Sequence, residues 1–187
     1  MNQKIAIFGA TSAIAMEAAK VWADRRCDLV LVGRSKDKLE SLKKDLETRG
    51  ASTVHIESCD LTNIEEHDNI LTKIHSYLPD IDTVLVAYGS LGDQIKSQGS
   101  YKETLKELNV NFLSVISLLI LLSIYFEKRG RGSIAVITSV AGDRGRKANY
   151  IYGAAKGGLS RFLEGLRNRF GNTAISVIDI KPGLTDT

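Results

Sequence analysis

Ile5-Ala6-Ile7-Phe8-Gly9-Ala10-Thr11-Ser12-Ala13-Ile14-Ala15 decides the fold. A short apolar run reaches a glycine, passes through a turn of small residues, and continues at once into helical spacing. A strand that feeds a helix through so small a turn leaves backbone N–H groups and the positive end of the helix dipole free to meet a pyrophosphate. Gly9 fits the tight turn, and Thr11, Ser12, Ala13 and Ile14 complete its wall. Ala13 and Ala15 are small enough for close approach but lack glycine's backbone freedom. The same turn also serves to pack a helix N-terminus tightly on a strand, and alone it does not separate the two uses.

Outward from this unit the same alternation repeats. Leu29 to Val32, Val54 to Glu57, Val84 to Ala87, Ser133 to Thr138 and Ile175 to Ile180 read as strands, mostly apolar without strict alternation, which marks burial on both faces. Between them lie segments with helical spacing, such as Leu39, Leu42 and Leu46. The expected fold is α/β, a doubly wound parallel sheet with helices on both faces, in a single domain over residues 1–187. Ligands of such sheets bind beyond the carboxyl ends of the strands.

Composition narrows the partners. Lys and Arg total 25 against 22 Asp and Glu, a net charge of +3 too mild and too evenly spread for a nucleic-acid surface. Cys27 and Cys59 are the only cysteines, and Met1-Asn2-Gln3-Lys4 shows no secretory pattern, so free thiols and a cytoplasmic location are expected. The run Phe112 to Phe126 is uncharged, but it is shorter than the roughly 20 apolar residues of a spanning helix and contains three serines. It reads as a helix buried by the sheet rather than as a membrane span.

Tyr152 and Lys156 lie four residues apart, side by side on one helix face. To exchange a proton at neutral pH a tyrosine must lose roughly 3 pKa units, and a neighbouring ammonium has the right sign to help. A solvated surface pair is the bland alternative. At the end of the second strand, Val32-Gly33-Arg34-Ser35 has no carboxylate where many dinucleotide-binding proteins hold the adenosine ribose. Gly33 leaves room there, and the Arg34 guanidinium suits a 2′-phosphate, which favours NADP(H) with NAD(H) as the alternative.

Together these segments resemble the short-chain dehydrogenase/reductase family from Lys4 to Thr187. The resemblance places a carboxylate near the adenine at Asp60, beside Leu61, and lines the cofactor with Ala87 and Gly89. It places a catalytic asparagine at Asn111, a catalytic serine at Ser139, and the proton-transfer pair at Tyr152 and Lys156. Pro182-Gly183, in Lys181-Pro182-Gly183-Leu184-Thr185, matches the segment that borders the nicotinamide. Each residue also has a plain structural reading: Asn111 bending a helix, Ser139 ending a strand, Asp60 starting a turn. Their order and spacing argue for the family.

Three departures stand out. Ala13 and Ala15 occupy the later glycine positions of the turn; Ala87-Tyr88-Gly89 replaces the family's Asn-Ala-Gly; and the sequence stops at Thr187, before the family's substrate loop, following helices and last strand. Val86 to Asp93 and Ala141 to Tyr150 look most like the branch that includes the decaprenylphosphoryl keto-ribose reductase, one half of an epimerase pair. Arg144, Arg146 and Lys147 fall between the serine and tyrosine positions and could hold a phosphate or other anion.

The resemblance implies hydride transfer between a nicotinamide and a carbonyl or alcohol substrate, possessing an anionic group if the basic loop takes part. Ser139 would hold the carbonyl oxygen, Tyr152 would supply its proton, Lys156 would lower the Tyr152 pKa and hold the ribose, and Asn111 would position a relay water. It also implies a homodimer or homotetramer built on the helices Tyr101 to Arg129 and Tyr152 to Phe170. The rival readings are a dinucleotide sensor or scaffold without turnover, and a reductase subunit of an epimerase pair acting on a phosphoryl-linked keto sugar.

Overall fold

A computed structural model describes residues 2–183. Six parallel strands, β1 (Lys4–Phe8), β2 (Asp28–Gly33), β3 (Thr53–Ser58), β4 (Thr83–Val86), β5 (Arg131–Ile137) and β6 (Ala174–Ile180), form one sheet in the order β3-β2-β1-β4-β5-β6. All six expected strands are present. Ala87 and Thr138 fall just past their strand ends, where the ladder gives way to loops over the sheet edge.

The connections are α1 (Ala13–Asp24), α2 (Lys36–Arg49), α3 (His67–Tyr77), the short α4 (Gln94–Gly99), α5 (Tyr101–Leu108), α6 (Ser114–Arg129) and α7 (Tyr150–Arg169). Alternate strand residues serve opposite faces. Ile5, Ile7, Leu29 and Leu31 pack under α1 and α2 against Ala15, Ala19, Leu39, Leu42 and Leu46. Ala6, Phe8, Val30 and Val32 belong to the other core, with Ile70 and Ile74 of α3, Leu118 and Leu122 of α6, and Leu159 and Leu163 of α7. Each fully buried leucine or isoleucine contributes about 1.5–3 kcal/mol relative to an exposed one, so the apolar strands are consistent with a sheet sandwiched between helices. β1 pairs with both β2 and β4. Strand order reverses there, which opens the crevice where such sheets bind ligands.

The run Tyr101–Arg129 is long and apolar enough to cross a membrane by length and composition. In this fold Val115, Leu118, Leu119, Leu122 and Phe126 cover the sheet, while Ile120 and Ile124 on the outer side are 46% and 42% exposed. The run is not one regular helix. Asn109–Leu113 forms a π turn, with the Ser114 N–H donating to the Asn109 carbonyl five residues back. The cause is Asn111: its Nδ2 donates to the Glu107 carbonyl at 3.2 Å, so a side chain takes the acceptor that a helical N–H would use.

Candidate active site and cofactor cleft

Gly9 ends β1 at φ +82°, a conformation that L side chains rarely adopt, and a Cβ there would lie 2.6 Å from the Tyr88 nitrogen. The turn folds back as the Gly9 and Ala10 N–H groups donate to the Val32 carbonyl. Ser12 then caps α1, its hydroxyl accepting from the Ala15 N–H at 3.3 Å. The helix opens onto a cleft of about 380 Å³ whose lining includes Gly9, Thr11, Ser12, Gly33, Arg34, Asp60, Leu61, Ala87 and Gly89. A second cleft of about 320 Å³ takes in Ser12, Ala13, Ile14, Ala87, Gly89, Asn111, Ser139, Tyr152, Lys156, Pro182 and Gly183. Ser12, Ala87, Tyr88, Gly89 and Ser90 wall both clefts.

At the outer end, Gly33 has space for a Cβ: its nearest neighbours, in Leu39 and Thr11, would be 3.5 and 3.7 Å away. The glycine therefore widens the cleft without being sterically required. Arg34, just before α2, is joined in the lining by Lys38 of the first turn of that helix, which the sequence reading passed over. Asp60 organises its own loop, accepting from the Thr62 N–H and hydroxyl at 3.0 and 2.9 Å. Leu61 is held by His67, whose Nε2 donates to the Leu61 carbonyl at 3.0 Å.

At the inner end, Lys156 is 4% exposed and its Nζ donates to the Ile137 carbonyl at 3.1 Å, 5.9 Å from the centre of the Tyr152 ring. Burial pulls the Lys156 pKa down to about 8, against the opposing pull of Glu107 and Asp179. Tyr152 differs from expectation. Burial pushes its phenol up, the Ser139 hydroxyl acts in the lowering direction, and Glu107 adds to the rise. Desolvation thus outweighs stabilisation of the phenolate here, and the Lys156 ammonium is turned toward a backbone carbonyl.

Asn111 is fully buried. Its Oδ1 accepts from the Ser90 N–H at 3.1 Å, and its Nδ2 faces the Ser90 carbonyl at 2.9 Å and the Glu107 carboxylate at 2.8 Å. Asn111 Oδ1 and Lys156 Nζ converge above Gly89, at 2.7 and 3.3 Å from where a Cβ would stand, so any side chain at that position would crowd the pair. Tyr88, at the middle position of the segment that replaces the family's Asn-Ala-Gly, packs against the core that includes α6, and its hydroxyl donates to Ser114 Oγ at 3.4 Å.

Ser139 lies just beyond β5, its Oγ accepting from the Ala141 N–H. Helix α7 begins at Tyr150, two residues before the expected start, so Tyr152 sits within its first turn. Pro182 is tied to the site, its carbonyl accepting from the Val140 N–H at 3.3 Å. Leu184 and Thr185 of that segment lie outside the described residues. The basic loop leaves Arg144, Arg146 and Lys147 all exposed, and of the three Arg146 joins the lining of the inner cleft. Asn149 also lines the cleft, and its Oδ1 is buried without a hydrogen-bond partner among the described residues. Neither Asn149 nor buried Glu107 carries a periodic or motif signal at the level of sequence.

A doubly wound α/β sheet with its clefts at the β1/β4 crossing and a tyrosine–lysine pair on one of them defines a class of dinucleotide-binding proteins. The chain belongs to the short chain dehydrogenase family, whose model matches residues 3–187. It is 32% identical over 179 residues to an uncharacterized oxidoreductase of Mycobacterium tuberculosis, covering 96% of this chain and 72% of that protein. Its fold is similar to a variant of actinorhodin polyketide ketoreductase crystallised with NADPH, with TM-score 0.90, 22% identity, and coverage of 100% of this chain and 73% of that one. It is equally similar in fold to NAD+-bound xylitol dehydrogenase, with TM-score 0.91, 21% identity, and coverage of 100% and 72%.

Proposed function

We propose that the protein is a nicotinamide-dependent oxidoreductase acting on a carbonyl or alcohol substrate. The observation that carries this reading is the meeting of Asn111, Ser139, Tyr152 and Lys156 on one cleft that shares a wall with the cleft of Gly9, Arg34 and Asp60. The residues fit a dinucleotide: the capped N-terminus of α1 for the pyrophosphate, Asp60 and Leu61 for the adenine, Ala87 and Gly89 along the middle, and Pro182 and Gly183 at the nicotinamide end. A bound nicotinamide supplies or takes the hydride.

The chain's own side chains then handle orientation and protons. Ser139 holds the substrate oxygen, Tyr152 donates to it as charge develops, and the Lys156 ammonium favours the phenolate and holds the ribose. Asn111, fixed through Ser90 and Glu107, bends the helix and positions a relay water. Arg34, with Lys38 beside it, favours NADP(H) over NAD(H). Arg146 supports the narrower reading of an anionic substrate, including a phosphoryl-linked keto sugar handled by a reductase of an epimerase pair. The outer groove between α6 and α7, lined by Ile120, Ile124, Phe162 and Leu166 with Arg161 and Arg169, supports a homodimer or homotetramer through these helices.

The direct test is NADPH oxidation across a panel of ketones and aldehydes, with and without a phosphate group, by the wild type and by Tyr152→Phe. Turnover by the wild type that the Phe variant loses, with cofactor binding retained, is expected. Cofactor binding without turnover in the wild type would instead favour a dinucleotide sensor or scaffold.

A further inference from the structure

Glu107 is a buried carboxylate, 7% exposed, whose charge has no part in the hydride and proton steps described above. It sits at the end of α5, four residues before Asn111 in the π turn, and its Oε1 lies 2.8 Å from Asn111 Nδ2. Its other oxygen is covered by the backbone of Gly92, which stands at φ +67°: a Cβ there would fall 2.0 Å from Oε2. A side chain at position 92 would therefore displace the carboxylate, and the left-handed backbone lets the loop after β4 close over it. A carboxylate walled in this way lacks the water that would screen its charge.

We propose that Glu107 is a positioning residue of the reaction centre, whose carboxylate anchors the Asn111 amide and whose charge holds Lys156 as an ammonium and Tyr152 as a phenol. The proposal rests on the oxidoreductase reading of this site. The groups around Glu107 are Lys156 and Tyr152 on α7, the Asn111 amide, the Ser90 hydroxyl and Gly92 of the loop after β4, and on its own helix the Glu103–Lys106 pair. Asp93 and Lys96 at the start of α4 pair with each other at 3.5 Å, and Asp179 of β6 adds a second negative charge toward Lys156. Burial raises the Glu107 pKa while Lys156, Ser90 and Asn111 pull it back. Glu107 in turn favours the protonated forms of both Lys156 and Tyr152. Asn111 is the geometric link: its Nδ2 faces the Glu107 carboxylate at 2.8 Å, while its Oδ1 converges with Lys156 Nζ over Gly89.

Glu107→Gln keeps the shape and the acceptor for Asn111 but removes the charge. Tyr152 ionisation is read from near-ultraviolet phenolate absorbance, as the difference between each protein and its Tyr152→Phe counterpart, and this readout needs neither cofactor nor turnover. The Gln variant is expected to ionise about one pH unit lower than the wild type, and the alkaline limb of kcat/KM for carbonyl reduction is expected to move down with it. Glu107→Asp, which keeps the charge, should stay near the wild-type midpoint. An unmoved midpoint in the Gln variant overturns the proposal, whether or not the rate falls, since a packing role lowers the rate without moving the limb. An equal shift in the Asp variant overturns it too. If the Gln variant does not fold, the Glu107 carboxyl carbon of the wild type, followed by NMR, should show a second inflection where Lys156 and Tyr152 titrate; its absence is equally decisive. Coupled titration in a protein that turns over no carbonyl would sink the oxidoreductase reading and leave the coupling standing.

Discussion

Lys156 shows what a proton-transfer site costs the fold. Its pKa near 8 lies below the ordinary lysine value of 10.5 because burial disfavours the ammonium. Below pH 8 both folded and unfolded chains carry the proton, so the folded state bears the full desolvation cost, about 3 kcal/mol at ~1.4 kcal/mol per unit. Between pH 8 and 10.5 the unfolded chain binds more protons, and this residue's contribution makes stability rise with pH. Lys156→Met should therefore raise the Tm at neutral pH while abolishing turnover. Scanning calorimetry at pH 7 and pH 10 checks both parts: the gain should shrink at the higher pH, and a variant less stable at both would contradict the assigned cost. At the other end of the cleft, Arg34→Ala should weaken NADPH binding about tenfold or more and NADH binding far less. Equal losses would remove the argument for a 2′-phosphate.

Among the elements, the strand-turn-helix at the start of the chain was legible because each of its rules is local. Apolar strand, tight-turn glycine and small-residue entry to a helix are all written within Ile5 to Ala15; the structure has them, and adds the positive φ of Gly9 and the Ser12 cap. Removing the cap by Ser12→Ala should cost about 1 kcal/mol of stability, read as a fall in the urea midpoint with unchanged slope. The serine also lines the cofactor cleft, so binding is expected to weaken as well. The long apolar run was legible as a helix but its π turn was not. That irregularity depends on which carbonyl the Asn111 amide reaches, a contact between side chain and backbone that no spacing rule records. Burial of Glu107 was hidden for a related reason: in sequence it belongs to the charged surface pattern Lys102-Glu103-Thr104-Leu105-Lys106-Glu107, and only the loop through Gly92 encloses it.

For the whole molecule, six strands in a parallel sheet followed from alternation alone, whereas the depth at which each polar group sits did not. The sequence placed Tyr152 beside Lys156 but supplied no desolvation, which is why the expected fall of the phenol's pKa met a rise instead. It also grouped Arg144, Arg146 and Lys147, of which the folded loop turns Arg146 to the cleft. The outer groove of α6 and α7 carries a prediction of its own: Ile120→Glu, which adds charge to an exposed apolar position, should shift the protein toward monomer in sedimentation velocity, with thermal stability of the isolated fold little changed. A wild type that is already monomeric would remove these helices from the assembly argument.

The central claim is that the two clefts at the β1/β4 crossing make one nicotinamide dinucleotide site. Equilibrium titration of the purified chain with NADPH and with NADH, followed by nicotinamide emission, tests it most directly. Saturable binding at one site per chain, tighter for NADPH and weakened by Gly9→Val, is the predicted result. No saturable binding of either nucleotide at millimolar concentration by the folded wild type would contradict it.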